Sequence, residues 1–295
     1  MTTEFALRPA REDDLPQALD VFYAALDDMF ARHNFDGPPP PRAYTEANWR
    51  HLLATGIFRI AERDGRAVAL CNAVVRDRLW FLSGFWALPE FQGRGVGGRL
   101  LREVWQEGER QGASIFFVWS SWDRRAVENY LRAGMWPGYQ MLNFWGRAPE
   151  LRLPDRPDGY AVEPLTVEAA ASVDERVRAT RREADHRFWL GARGARGRLV
   201  VGRGGRPAGY YYLEGEAVAP AAWSEDSDAE AVLALACREA TERAGSVALR
   251  VPGINHAAIR FALGAGLRYA SYAHFFTPAP FGRLERYLAS GPTLF

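Results

Sequence analysis

Apolar residues follow one another almost without a break from Leu79-Trp80-Phe81-Leu82 to Phe85-Trp86-Ala87-Leu88, the pattern of a central strand covered on both faces. Downstream the period lengthens. Val96, Leu100, Leu101, Val104 and Trp105 fall on one stripe of a helix over 96–110. The same reading predicts a strand at 3–8, a helix at 13–32, a loop and a helix at 45–54. Strands at 57–63, 66–76 and 78–88 precede that glycine-led helix. A strand at 114–121, a helix at 123–133 and a strand at 138–147 complete the series. This order makes a mixed α/β sandwich, with helices on both sides of one sheet.

Two breaks divide the chain. Asp36-Gly37-Pro38-Pro39-Pro40-Pro41 can be neither helix nor central strand and is read as a stiff loop. The stretch from Ala148 to Gly159, with Pro149, Pro154 and Pro157, reads as an interdomain linker. The segments on either side of it look like copies. Phe5-Ala-Leu-Arg-Pro9 matches Tyr160-Ala-Val-Glu-Pro164, and each is followed by an acidic helix start, Glu12-Asp13-Asp14 or Glu168. Each half has a hairpin signal, Asp64-Gly65 or Gly204-Gly205. Asp123-Arg-Arg-Ala126-Val-Glu-Asn-Tyr130-Leu-Arg-Ala-Gly134-Met135 has the spacing of Asn255-His-Ala-Ala258-Ile-Arg-Phe-Ala262-Leu-Gly-Ala-Gly266-Leu267. We read an internal duplication of a unit of about 140 residues, with domains at 1–148 and 156–295.

Composition narrows the function classes. The 295 residues carry a net charge of +1, and every basic residue is arginine. A nucleic-acid binder shows a basic face, and this chain has no such excess. No apolar run reaches the ~18 residues of a membrane span, and Met1 to Arg11 lacks an apolar leader core, so a cytoplasmic protein is expected. Cys71 and Cys237 sit in apolar runs and read as buried free thiols. The five histidines have no metal-ligand spacing, and no metal is expected.

The chemistry lies between the strand 78–88 and the helix 96–110. Gln92-Gly93-Arg94-Gly95-Val96-Gly97 is a glycine-rich turn into a helix. Missing side chains let backbone N–H groups converge, and the helix start adds uncapped donors and positive potential. Gly98 extends the bare backbone, while Arg94 and Arg99 add cations suited to phosphate. The turn is no dinucleotide fingerprint, which follows the first strand of a βαβ unit, and no Gly-Lys-Ser/Thr follows as in a P-loop. A ligand-free structural turn would account for the glycines alone.

Ala87-Leu-Pro89-Glu-Phe-Gln92-Gly-Arg-Gly95-Val-Gly97 resembles the acetyl-CoA motif of the GNAT N-acetyltransferase superfamily, Gln/Arg-x-x-Gly-x-Gly/Ala. Asp123 to Met135 resembles the superfamily's next element, Asn-x-x-Ala-x-x-x-Tyr-x-x-x-Gly-Phe. The resemblance covers nearly all of residues 1–147. It implies two tandem GNAT-like domains, each a mixed, mostly antiparallel sheet with helices on both faces, and acetyl-CoA as cosubstrate. It implies that the backbone of Phe85, Trp86 and Ala87 pairs with the pantetheine arm as an added strand. Gln92, Gly93, Arg94, Gly95, Val96, Gly97, Gly98 and Arg99 would cradle the pyrophosphate, with Asp123 and Ala126 touching the cofactor. Asp123 replaces the usual asparagine and sets a carboxylate near an anionic ligand; Met135 replaces phenylalanine.

The same resemblance makes Tyr130 the general acid for the leaving thiolate; packing its helix onto the sheet is the alternative. No acidic residue lies in Leu79 to Leu88, so the general base stays open among Glu90, His33, His51, Asp28 and Asp123. Trp80, Trp86, Trp119, Trp122, Trp136 and Trp145 crowd the same region, most of them as core, with one or two available to an aromatic or cationic acceptor. In the second half the matching junction is Ala222-Trp223-Ser224-Glu225-Asp226-Ser227-Asp228-Ala229-Glu230. It has no glycine cradle, its carboxylates would repel a pyrophosphate, and Ala262 stands at the tyrosine position. That half reads as a degenerate copy. The expected activity is direct acetyl transfer to the amine of a small molecule, with a protein N-terminus as alternative acceptor and a non-catalytic acyl-CoA-binding module as the alternative class. Neither nucleic acid nor membrane is an expected partner, and tandem domains that mimic a dimer imply a monomer or weak dimer.

Overall fold

A computed structural model describes residues 5–295; Met1–Glu4, which begin the predicted strand 3–8 and the stretch read for a leader, lie outside the described residues. The chain divides into two compact units, Met1–Trp136 and Pro137–Phe295.

The first unit runs β1 (Ala6–Pro9), α1 (Leu15–His33), α2 (Arg42–Thr55), β2 (Ile57–Arg63), β3 (Arg66–Arg76), β4 (Leu79–Ala87), α3 (Val96–Arg110), β5 (Ile115–Ser120) and α4 (Arg124–Arg132). The strands lie in the order 1-2-3-4-5, antiparallel up to β4, with β4 and β5 parallel. Asp64 and Gly65, both at positive φ, form the hairpin turn read from the sequence. The sheet is covered on both faces. Phe22 of α1 meets Trp86 with ring centroids 4.9 Å apart, and Trp49 of α2 meets Phe58 at 5.5 Å. On the opposite face Trp105 of α3 stacks on Phe116 at 3.8 Å, and Trp80 donates from Nε1 to the Val104 carbonyl at 3.3 Å. A side chain at Gly108 of α3 would overlap the Trp80 ring, so this glycine sets how closely α3 can lie on β4.

The second unit opens with β6 (Trp136–Arg147) and repeats the series. Its elements are β7 (Ala161–Pro164), α5 (Val167–Arg178), α6 (Glu183–Leu190), β8 (Arg196–Val201), β9 (Pro207–Glu214), β10 (Ala217–Trp223), α7 (Ala229–Ala244), β11 (Ser246–Pro252), α8 (His256–Gly264), β12 (Arg268–Thr277) and a short β13 (Tyr287–Leu288). The duplication is visible in detail. Gly134 and Gly266 both take positive φ after their helices, and Met135 N–H bonds the Tyr130 carbonyl at 3.0 Å as Leu267 N–H bonds that of Ala262 at 2.9 Å.

The strand read as the last of the first half pairs with β11 from Met141↔Pro252 to Arg147↔Ser246, lying between β11 and β12. The proline-bearing segment after it also lies within the second unit. Leu151 and Leu153 pack on that unit's core, and the Arg152 N–H bonds the Ala265 carbonyl at 2.9 Å. Cys71 and Cys237 are buried free thiols. No helix of the described residues is long and apolar enough to cross a membrane.

Candidate functional site

The site is built where β4 breaks its pairing on both sides. Towards β3 the register slips. Gly84 faces Asn72 but Leu82 faces Ala73, which leaves Ser83 as an extra residue in a β-bulge. Towards β5 the registered pairs run only from Leu79↔Ile115 to Leu82↔Val118, although β4 continues to Ala87 and β5 to Ser120. Parallel neighbours that separate in mid-course leave strand-edge N–H and C=O groups facing the gap. Phe85, Trp86 and Ala87 lie on that stretch of β4.

Gly93 and Gly95 both adopt positive φ (75° and 81°), with nothing within 4 Å of where a Cβ would stand. Gly95 is the N-cap of α3 and provides no side-chain cap, so the N–H groups of the first turn, from Val96 onward, look outward from a left-handed glycine. Gly97 lets α3 approach the strand, since a Cβ there would come within 3.0 Å of Phe85 Cζ. A Cβ at Gly98 would lie 3.5 Å from Asn129 Oδ1 of α4. Gln92 does not join the open face. Its Nε2 donates to the Ala87 carbonyl at 3.0 Å and its Oε1 accepts from Arg125 of α4, clamping loop, strand and helix together. The Arg94 guanidinium lies over Phe91, 5.5 Å from the ring centroid. Arg99 rises half-buried from the first turn of α3.

Tyr130 is almost fully buried (4% exposed) on α4, with its ring centroid 6.1 Å from that of Phe85. Its hydroxyl is hydrogen-bonded to Ser120, the last residue of β5. The phenol thus stands where β4 and β5 have separated. Burial pushes its pKa well above the ordinary tyrosine value, while the Ser120 hydrogen bond pulls the other way. Tyr130 therefore holds its proton throughout the physiological range.

Asp123 caps α4, its carboxylate accepting from the Arg125 N–H at 2.8 Å, and pairs with Arg32 of α1 at 2.7 Å. Burial would raise its pKa, but Arg32 and the Arg125 and Ala126 N–H groups outweigh that and hold it below the usual carboxylate range. A carboxylate so engaged is neutralised rather than aimed at an anion. Ala126 follows in the first turn of α4, half-buried.

Of the five positions read as base candidates, Asp28 and Asp123 share one arginine, Arg32, which takes Asp28 at 2.9 Å. His33 lies beside Trp122 (ring centroids 6.2 Å apart), Glu90 is exposed, and His51 lies 3.5 Å from Arg76 at the far end of β3. The tryptophans separate likewise. Trp80 and Trp119 are buried, Trp136 is exposed, Trp145 donates to Glu216 at 2.9 Å, and Trp86 is half-buried beside the gap.

Sequence reasoning missed two residues at the bulge. The Asn72 side chain is wholly buried with no hydrogen-bond partner for Nδ2 or Oδ1, and Ser83 Oγ is buried and likewise unpartnered. The signal was present: Ser83-Gly84 is the sole interruption of the apolar run.

The matching junction of the second unit is closed by its own residues. Asp228, fully buried at the start of α7, accepts from Arg206 at 2.7 and 2.8 Å, from Tyr160 at 3.0 Å and from the Glu225 N–H at 3.2 Å. Arg286 binds Asp226 at 2.7 Å. A carboxylate here does for the helix start what an anionic ligand would do. Among the described residues no group of three or more His, Cys, Asp or Glu side chains could hold a metal ion.

Residues 21–135 match the family model of the Acetyltransferase (GNAT) family. No curated protein matches the sequence. Several solved structures share the fold at 15% identity. A candidate acetyltransferase from Pyrococcus horikoshii superposes with a TM-score of 0.77 over 100% of this chain and 97% of its own. A GCN5-related N-acetyltransferase from Sphaerobacter thermophilus gives 0.65 over 97% and 99%. A tandem GNAT protein from the clavulanic acid biosynthesis pathway gives 0.59 over 94% and 99%. The glycine turn, the parted strands and Tyr130 all lie inside the span that matches the GNAT acetyltransferase family model, within a chain that has the fold of a tandem GNAT protein.

Proposed function

We propose that the first unit is an acetyl-CoA-dependent N-acetyltransferase acting on the amine of a small molecule, and that the second unit is a copy without a cofactor site. The observation that carries this is the separation of β4 from β5 between the uncapped start of α3 and the buried Tyr130. Acetyl-CoA supplies the acyl group and a thiolate leaving group. The outward N–H groups after Gly95 suit its pyrophosphate, the unpaired edge of Phe85–Ala87 suits the amides of its pantetheine arm, and backbone N–H groups near the bulge suit the oxygen of the reacting carbonyl. Gly93 and Gly95 fit the role because the space beyond them is open.

The amine nitrogen bonds to the acyl carbon as the carbon–sulfur bond breaks. One proton leaves nitrogen for solvent, and Tyr130 gives its proton to sulfur and recovers one from solvent. A phenol raised in pKa is a reluctant acid for a thiolate of reference pKa ~8.5. Its contribution is therefore largest as a hydrogen bond that strengthens while charge grows on sulfur.

The test measures thiol release from acetyl-CoA against a panel of small amines, beside acetyl-CoA binding by thermal shift. Amine-dependent thiol release supports the proposal. Binding without release for any amine would leave an acyl-CoA-binding module, and no binding would remove the reading altogether.

A further inference from the structure

We infer that Asn72, assisted by Ser83, positions the acceptor nitrogen; the inference rests on the acetyltransferase reading and adds the acceptor side to it. Leu70, Asn72 and Val74 share one face of β3, and their partners Trp86, Gly84 and Phe81 carry that face onto β4. It is the face of α1 and α2, opposite to that of Phe85, Gly97 and Tyr130. Asn72 stands directly across from Phe58 on β2. Phe58 meets Trp49, Trp49 meets Phe22 at 5.5 Å, and Phe22 meets Trp86, so an aromatic wall runs past the amide.

Gly84 makes room for this side chain. A Cβ there would lie 2.8 Å from Asn72 Oδ1 and 3.1 Å from Nδ2. The amide therefore lies over β4 at the residue next to the bulge, close to where β4 parts from β5. Asn72 Oδ1 and Nδ2 lie at Gly84 without partners, and Ser83 Oγ, of the adjoining bulge residue, is likewise buried and unpartnered. Such groups are costly in an apolar wall unless something binds them. The attacking nitrogen must be neutral, with its lone pair on the acyl carbon and its N–H bonds turned away. An uncharged amide oxygen accepts one of those N–H bonds without holding the amine as ammonium, as a carboxylate would. The aromatic wall fits an acceptor with a slim apolar or aromatic body.

The test uses Asn72→Leu, close to asparagine in size, and Ser83→Ala, with benzylamine, phenethylamine and n-butylamine as probes. Thermal unfolding, acetyl-CoA affinity, and KM and kcat for the amines are measured. Removing unpartnered polar atoms is expected to raise Tm of the unliganded Asn72→Leu protein by a few degrees. It should lower kcat/KM for the amines by about tenfold or more, mainly through KM, with acetyl-CoA affinity within about twofold of wild type. Ser83→Ala should show a smaller loss in the same direction. A fall in Tm for Asn72→Leu would mean that the amide has a permanent structural partner, such as a bound water, and would overturn the inference. So would unchanged amine kinetics in both variants. A wild-type protein that binds acetyl-CoA but acetylates none of the probes would count against the activity itself, a failure visible before any variant is made.

Discussion

Replacing Tyr130 by phenylalanine removes one oxygen from a buried side chain at the parted strands. The ring keeps its place beside Phe85, 6.1 Å away, so packing changes little. Ser120 loses a partner but its Oγ still donates to the Ser121 carbonyl at 2.9 Å, so no polar atom is stranded. The loss of stability should stay near ~1 kcal/mol, the net value of one hydrogen bond. The effect on rate is of another size. A positioned acid contributes ~10²–10⁴-fold, or about 3–5 kcal/mol at 1.36 kcal/mol per decade. Thiol release measured at saturating acetyl-CoA and amine should fall by that factor, with acetyl-CoA affinity unchanged. Because burial raises the phenol's pKa, the wild-type rate should show no alkaline loss from Tyr130 up to about pH 10, the ordinary tyrosine value. A variant within twofold of wild type would show that Tyr130 only packs α4 against the sheet.

Other substitutions test the frame around the site. Gly108→Ala pushes a methyl group into Trp80 and should cost ~1–3 kcal/mol in urea unfolding, as overpacking does; a neutral result would mean that α3 shifts freely over β4. In the second unit Asp174 is fully buried against Arg182 and His186, with Tyr210 donating to it at 2.5 Å. Asp174→Asn leaves the Arg182 charge unmatched and should cost ~3–5 kcal/mol by calorimetry. Burial would raise the Asp174 pKa, but Arg182 and His186 hold it well below the usual range; burial lowers that of His186. Both shifts make the unfolded chain bind more protons in acid. Wild-type stability should fall as pH drops through ~6.5, where unfolded histidine charges, and again below ~4, and the lower step should shrink in Asp174→Asn. A stability flat from pH 7 to 3 would contradict this sign.

Much of this was legible because the signals are local. The boundaries of α3 follow from a left-handed Gly95 and a five-residue apolar stripe, and α3 spans the expected 96–110. Asp64-Gly65 and the paired Gly134 and Gly266 act through backbone conformation, which a glycine announces by itself. Long-range pairing is not announced. The Arg32–Asp123 ion pair joins residues 91 apart, so the pattern around Asp123 did not show that its carboxylate also binds an arginine. Nor does the pattern of β6 say which strands it lies beside, since β6 and β12 follow the same helix–glycine signal. The bulge escaped notice because a run of apolar residues carries no register, and only the pairing of Asn72 with Gly84 shows that Ser83 is the extra residue.

The central claim is one acetyl-CoA site, on the first unit, and titration calorimetry of the whole chain with acetyl-CoA tests it most directly. One molecule should bind per chain, and Gly95→Val, which forces a branched side chain onto a φ of 81° at the start of α3, should weaken binding at least tenfold while Asp228→Asn leaves it unchanged. No binding, two sites per chain, or a site lost with Asp228 and indifferent to Gly95 would contradict the account.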